Sequence, residues 1–262
     1  MTASTHSDIH HNADASQHRV VSREEWLAAR RELLLKEKEY TRAGDRLAAE
    51  RRALPWVKVE KNYAFDGVHG RQTLSDLFAG RSQLIVYHFM LEPGWSEGCK
   101  SCSFLADHID GANLHLAHHD VTLLAVSRAP WREIQPFKQR MGWQFDWVSS
   151  FGGDFNYDYH VSASPAEIAA GQRDYNFTSS AGGNGDWPGI SVFYKNERGE
   201  IFHTYSAYAR GGDSLLGTHH YLDLTPKGRN EGGTMDWVRH HDKYIAAAGN
   251  KKSCCGAAES RD

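Results

Sequence analysis

Along the chain the spacing of apolar residues switches between a helical and an alternating period, and each switch predicts an element. Ser22-Arg23-Glu24-Glu25 reads as a capping box ahead of Trp26 and Leu27. Apolar residues then recur at Leu33, Leu34 and Leu47 among many Arg and Glu. That pattern predicts an amphipathic helical arm over 20–55, with a break near Gly44-Asp45 and an end before Pro55. Val57–Phe65, Asp66-Gly67 and Val68 onward predict a strand pair around a tight turn. Thr73–Phe78 predicts a short helix closed by Gly80. Strands and helices then alternate: strand Leu84–Leu91, helix Cys102 to about Leu116, strand Val121–Val126, helix Trp131–Met141 and a strand near Phe145–Val148.

Residues 151–187 break this rhythm, being rich in Gly, Asn, Asp and Tyr, and read as a long inserted loop in which Ser164-Pro165-Ala166-Glu167 starts a local helical turn. Ile190–Lys195 and Ile201–Tyr208, joined across Asn196-Glu197-Arg198-Gly199, predict a β-hairpin. Helical stretches near 213–222 and 234–247 complete the pattern. The order β-α-β-α-β-β-α predicts an α/β fold, a thioredoxin-like mixed β-sheet with flanking helices, over 56–249. Residues 1–19 read as a disordered leader and 250–262 as a flexible tail.

Composition narrows the function classes. At 40% hydrophobic and 24% charged residues, the chain is ordinary for a soluble globular protein. A net charge of −3 gives no reason to expect nucleic acid, and the apolar run at 84–91 is too short to cross a bilayer. No signal-peptide pattern opens the chain, and four cysteines do not make a disulfide framework, so a reducing cytoplasm is the expected compartment. Neither G-x-G-x-x-G nor a P-loop occurs, and no cofactor is expected.

One motif names a chemistry. Cys99-Lys100-Ser101-Cys102 lies between a strand and a helix-like stretch. A cysteine at a helix N-terminus meets unpaired N–H groups and the positive end of the helix dipole, which favour the thiolate. Such sites lower a thiol pKa from ~8.5 to between ~3.5 and ~7.5. Cys99 is then the nucleophile and Cys102, one turn on, the resolving thiol; a zinc half-site or two ordinary helix cysteines are the alternatives. Lys100 adds positive charge nearby. Pro188, just before Ile190–Lys195, occupies the place of a groove-shaping cis-proline, or is a plain strand-opening proline. Trp95, Trp143, Trp147 and Tyr157 are candidates for an aromatic groove wall, and His88 and His203 for the surroundings of the thiols.

Ser96-Glu97-Gly98-Cys99 prompts a rival reading as a peroxidatic site, with Ser96 and Arg128 as activating groups, although Pro93 is one residue too close for that pattern. The pairs His115/His119, His219-His220 and His240-His241 lack an acidic third ligand at diagnostic spacing, so no metal site is assigned. Cys254-Cys255 sits in the tail, a spare thiol pair or a harmless end.

Several segments together resemble the bacterial family called domain of unknown function 899. They are Glu25–Arg30, Arg51–Pro55, Tyr87–Met90, Gly98–Ser103, Gly142-Trp143, Ser149-Ser150 with Asp154–Asn156, Phe202–Ser206 and Leu222–Pro226. The resemblance spans about 20–245 and implies a thioredoxin-like fold and a dithiol-disulfide oxidoreductase role. The reading is therefore a thiol-disulfide oxidoreductase acting on protein or low-molecular-weight thiols and disulfides, with a thiol peroxidase or a non-enzymatic metal- or protein-binding module as alternatives. No nucleic acid or membrane partner is expected, and the helical arm is a candidate homodimer contact.

Overall fold

The computed structural model describes residues 18–181, 183 and 185–244. Most of the leader, the tail and Cys254-Cys255 lie outside the described residues. Helix α1 (Arg23–Arg52) runs unbroken for 30 residues, about 45 Å at 1.5 Å per residue. The Ser22 hydroxyl accepts the Glu25 N–H while the Glu25 carboxylate accepts the Ser22 N–H, closing the capping box. The expected break at Gly44-Asp45 does not occur; one exposed glycine costs a helix only about 1 kcal/mol. No residue of α1 is buried, so Trp26, Leu33, Tyr40 and Leu47 remain exposed. Among the described residues, no helix is long and apolar enough to cross a membrane.

The predicted strand Val57–Phe65 is split between opposite edges of the sheet. β1 (Val57–Lys58) pairs antiparallel with β10 (Ile201–Tyr208), while β2 (Ala64–Gly67) and β3 (Gly70–Thr73) form a hairpin at the other edge. Burial explains the split: Val57 is exposed, whereas Phe65 is fully buried against Phe155. The remaining strands are β4 (Gln83–His88), β5 (Val121–Ser127), β6 (Trp147–Ser149) and β9 (Gly189–Lys195). The eight strands lie in the order β1-β10-β9-β4-β5-β6-β2-β3. β4, β5 and β6 are parallel; β9 is antiparallel to β4 and β10 antiparallel to β9. The inner order β10-β9-β4-β5 is the thioredoxin-like motif, a parallel β-α-β unit extended by an antiparallel hairpin.

Period-two alternation sorts the strands' side chains onto two faces. Leu84, Val86, Leu124 and Val126 join one core with Phe65, Phe78, Phe155 and Phe193. Tyr87 and Ala125 join the other, under α2 (Lys100–Ala106), α3 (Ile109–His118) and α4 (Trp131–Arg140). The single helix expected from Cys102 to Leu116 is two. The chain turns at Asp107-His108, where Asp107 accepts the Trp143 indole N–H at 2.8 Å and His108 bonds both the Phe104 carbonyl and Thr218.

The 151–187 segment is ordered by α5 (Phe155–Asp158), α6 (Pro165–Ala170), and a hairpin of β7 (Gln172–Tyr175) and β8 (Thr178–Ala181). After β10 come a 3-10 turn (Ala209–Leu215) and α7 (Gly217–Leu222). The helix expected over 234–247 is absent from its described part. Glu231–Tyr244 is instead a strap with one 3-10 turn (His241–Lys243), pinned by tertiary contacts. Its Asp236 carboxylate accepts the Gly232 and Gly233 N–H groups, and Val238 is fully buried.

Trp147 is buried at the centre of an aromatic cluster, 4.4 Å from the Phe89 ring, and donates its indole N–H to Ser127 Oγ at 2.9 Å. Trp147→Ala is expected to cost about 3–5 kcal/mol in urea unfolding, from lost burial plus the cavity left behind.

Candidate active site

The thiol motif is held where β4 gives way to α2. The Cys99 N–H donates to the Met90 carbonyl at 3.1 Å, closing the loop between strand and helix. Gly98 is a steric requirement of that loop: a Cβ there would lie 2.4 Å from Phe89 and 2.7 Å from Phe137. Cys99 is thereby the N-cap of α2, extended in backbone, with its carbonyl taken by the Ser103 N–H and hydroxyl. Its sulfur is partly exposed, whereas Cys102 is buried beneath it, and both thiols are free.

Burial and hydrogen bonding drive the two thiols apart. The Cys99 pKa falls to about 6, chiefly because the Cys102 thiol donates to its sulfur, with the Cys102 and Ser101 N–H groups and His240 adding to the effect against a desolvation penalty. Burial pushes the Cys102 pKa well above the ordinary thiol range, and the neighbouring Cys99 pushes the same way. The Tyr87 hydroxyl reaches Cys102 from β4 and opposes that rise. Opposed shifts in adjacent groups assign separate tasks: one sulfur to attack, the other to be held back.

Both cysteines face a cavity of about 330 Å³. Its walls are mainly apolar, with Tyr87, Met90, Leu105, Ile190, Leu216 and Met235, and the ion pair of exposed Arg210 with Asp213 completes them. Pro188 lines the same cavity, but the bond before it is trans, contrary to the cis form considered from sequence. The chain reaches β9 extended, with the Trp187 N–H bonded to the Val161 carbonyl at 2.7 Å, and needs no reversal there.

Other expected site residues lie elsewhere. Trp95 and Ser96 are exposed and do not line the cavity. Lys100 is exposed, its ammonium 3.5 Å from the Asp236 carbonyl, and His240 rather than Lys100 contributes to the lowered Cys99 pKa. Arg128 cannot serve Cys99, because its guanidinium is spent on Asp186 (2.9 Å), Glu92 (3.2 Å) and the Tyr157 hydroxyl (3.2 Å). Trp143 and Trp147 are core residues beside Phe89. His88 is buried against Phe155 and Tyr159 on the opposite face, bonds Ser191, and is held down to about 3 by desolvation. His203 bonds Ser206 on that face, its pKa also lowered by burial.

Two neighbours of the thiols escaped sequence reasoning. Tyr87 reads as a strand aromatic, and only the pleat shows that it points to the Cys102 side. His240 belongs to a noted His pair but lies far along the chain; its Nε2–H donates to the Gly98 carbonyl at 2.8 Å. Around it, Glu97 accepts from Arg140 (2.6 Å) and Lys243 (2.7 Å), and Arg140 also clasps Asp242.

Residues 15–244 match the profile of a family described as "Bacterial protein of unknown function (DUF899)". The chain belongs to that family. None of the curated proteins compared with it matches. Among solved structures, the DUF899 chain is similar to peroxidoxin BcpB from Mycobacterium tuberculosis (12% identity, TM-score 0.38), covering 64% of this chain and 97% of that one. It is also similar to a PrxQ mutant from Xylella fastidiosa (13%, TM-score 0.42; 63% and 94% covered). A third is a thiol:disulfide interchange protein DsbE, so described, from Chlorobium tepidum (13%, TM-score 0.38; 66% and 99% covered). The thioredoxin-like character of this family member rests on its own strand order and on the cysteine that opens α2.

The thiolate is the reactive form, so alkylation of Cys99 should accelerate as pH rises through about 6 and then level off. Cys102→Ala removes the strongest donor to that sulfur and should move the midpoint upward. Iodoacetamide rates across a pH series, read by mass spectrometry of the Cys99 peptide, check both; an unmoved midpoint would refute the assigned cause.

Proposed function

We propose that this DUF899 protein is a thiol-disulfide oxidoreductase. The supporting observation is the pair of oppositely shifted thiols at the start of α2, open to a cavity on the Cys99 side. Cys99 thiolate attacks one sulfur of a substrate disulfide, forming a mixed disulfide and expelling the other sulfur as a thiolate. Cys102 then gives up its proton to the departing thiolate and attacks Cys99 Sγ, releasing the second substrate half as a thiolate that takes a proton from water. Two electrons leave the dithiol, the substrate disulfide is reduced, and the protein is left with a Cys99–Cys102 bond. A low-molecular-weight or protein thiol resets it.

The peroxidase reading loses support from the placement of Ser96 and Arg128. Ser96 does not line the cavity, and the Arg128 guanidinium is engaged by Asp186 and Glu92. Thiol exchange needs neither group.

Equilibration across thiol-disulfide buffers, followed by alkylation and mass spectrometry, tests the proposal. The expected result is a reversible two-electron step within about −270 to −180 mV, absent in Cys99→Ser and replaced by a trapped mixed disulfide in Cys102→Ser. Failure to form an intramolecular disulfide at any poise would overturn it.

For the arm we propose a second copy of the chain as partner. Exposed Trp26, Leu33, Tyr40 and Leu47 recur every seven residues along α1, a spacing that lines up on one side when helices pair. Sedimentation should show a dimer that Leu33→Glu/Leu47→Glu dissociates; a monomeric native chain refutes it.

A further inference from the structure

A dithiol that reduces protein disulfides needs an open groove, with main-chain groups free to pair with an extended segment. Here the groove is narrowed on two sides. Two main-chain groups around Pro188 are already engaged from within. The Trp187 N–H is taken by the Val161 carbonyl, and the Pro188 carbonyl accepts the Tyr175 hydroxyl at 2.7 Å. Val161 and Tyr175 both belong to the 151–187 segment, so that insertion takes up hydrogen-bonding groups on the Pro188 side of the groove.

The strap Glu231–Tyr244 closes the other side. It is fastened on both flanks of Cys99. Upstream, His240 bonds the Gly98 carbonyl and Lys243 pairs with Glu97. Downstream, Trp237 packs edge-on against Phe104 (centroids 5.5 Å apart), and His241 meets Asp107 at 2.7 Å. Just before these anchors in the chain, Thr234 and Met235 form part of the wall of the cavity that Pro188 and Ile190 also line. The space left is about 330 Å³, at the low end of the ~300–1,000 Å³ typical of small-molecule sites.

Resting on the oxidoreductase reading, we propose that the substrate is a compact, apolar, low-molecular-weight disulfide rather than a protein disulfide. One alkyl half seats between Met235, Leu105 and Ile190, which brings its sulfur to Cys99. The Cys99 thiolate bonds that sulfur, the S–S bond breaks, and the other half leaves as a thiolate that takes the Cys102 proton. Attack by Cys102 on Cys99 Sγ frees the seated half as a thiolate, which takes a proton from water. The protein is oxidised by two electrons as the dialkyl disulfide is reduced, and two equivalents of a small external thiol restore the dithiol.

Full-length reduced protein is mixed separately with diethyl disulfide, with cystine, and with insulin. Formation of the Cys99–Cys102 bond is followed by quenched alkylation and mass spectrometry. The expected result is oxidation by diethyl disulfide at least about tenfold faster than by cystine or insulin, the scale of discrimination an apolar pocket supplies. Insulin or cystine reacting as fast as diethyl disulfide would overturn the substrate assignment while leaving the oxidoreductase reading intact. No bond with any of the three would overturn both. Met235→Trp fills the cavity from the strap side and should slow diethyl disulfide about tenfold with an unchanged dithiol potential. An unchanged rate at an unchanged potential would refute the assignment.

Discussion

The site depends on the absence of a side chain at Gly98. The backbone there lies against the rings of Phe89 and Phe137, so close that no Cβ fits. That contact lets the Cys99 N–H reach the Met90 carbonyl and starts α2 at this residue. The helix start in turn aims the Ser101 and Cys102 N–H groups at the Cys99 sulfur. Aromatic packing at the end of β4 thus fixes where the helix begins, which sets the Cys102 thiol and the helix N–H groups against the Cys99 sulfur and lowers its pKa.

Around that point the fold separates the tasks of holding and exposing. β4 and β5 are buried on both faces, and their parallel pairing fixes the loop that carries Cys99. Cys102 is locked among core residues and kept protonated by burial, whereas Cys99 keeps one side open to the cavity. The surrounding charges serve the framework more than the chemistry. Arg140 and Lys243 converge on Glu97, and Arg128 on Glu92 and Asp186, clamping the segments before and after the sulfurs. The pairs on Glu97 are partly solvated, so their value lies in fixing geometry more than in net stability.

Elements governed by local rules were legible in the sequence. Both capping boxes, at Ser22 and Ser164, form where the serine and glutamate stand three apart. Strand Ile201–Tyr208 keeps its predicted bounds, since it pairs with its neighbour across a four-residue turn. Readings failed where a distant partner decides the outcome. Val57 and Phe65 are eight residues apart yet belong to opposite sheet edges, because burial of Phe65 against Phe155 outweighs strand continuity. The strap has helix-compatible residues but is held by Gly98, Glu97 and Asp107, contacts that no local period encodes. Arg128 looked available because a sequence does not show that two carboxylates and a phenol already claim it.

The sequence by itself determined the alternating β-α-β core, the family, and the placing of Cys99-Lys100-Ser101-Cys102 between a strand and a helix, since the local elements depend on residues within one or two turns of each other. Only the tertiary structure decided which thiol is lowered and which raised, because desolvation and hydrogen bonding act through whatever lies within a few ångströms in space. It also decided that Tyr87 and His240, rather than Lys100 and Arg128, stand around the sulfurs. The size and apolar lining of the cavity belong to the same class of property, being set by a strap and an insertion that meet the thiols only after the chain has folded.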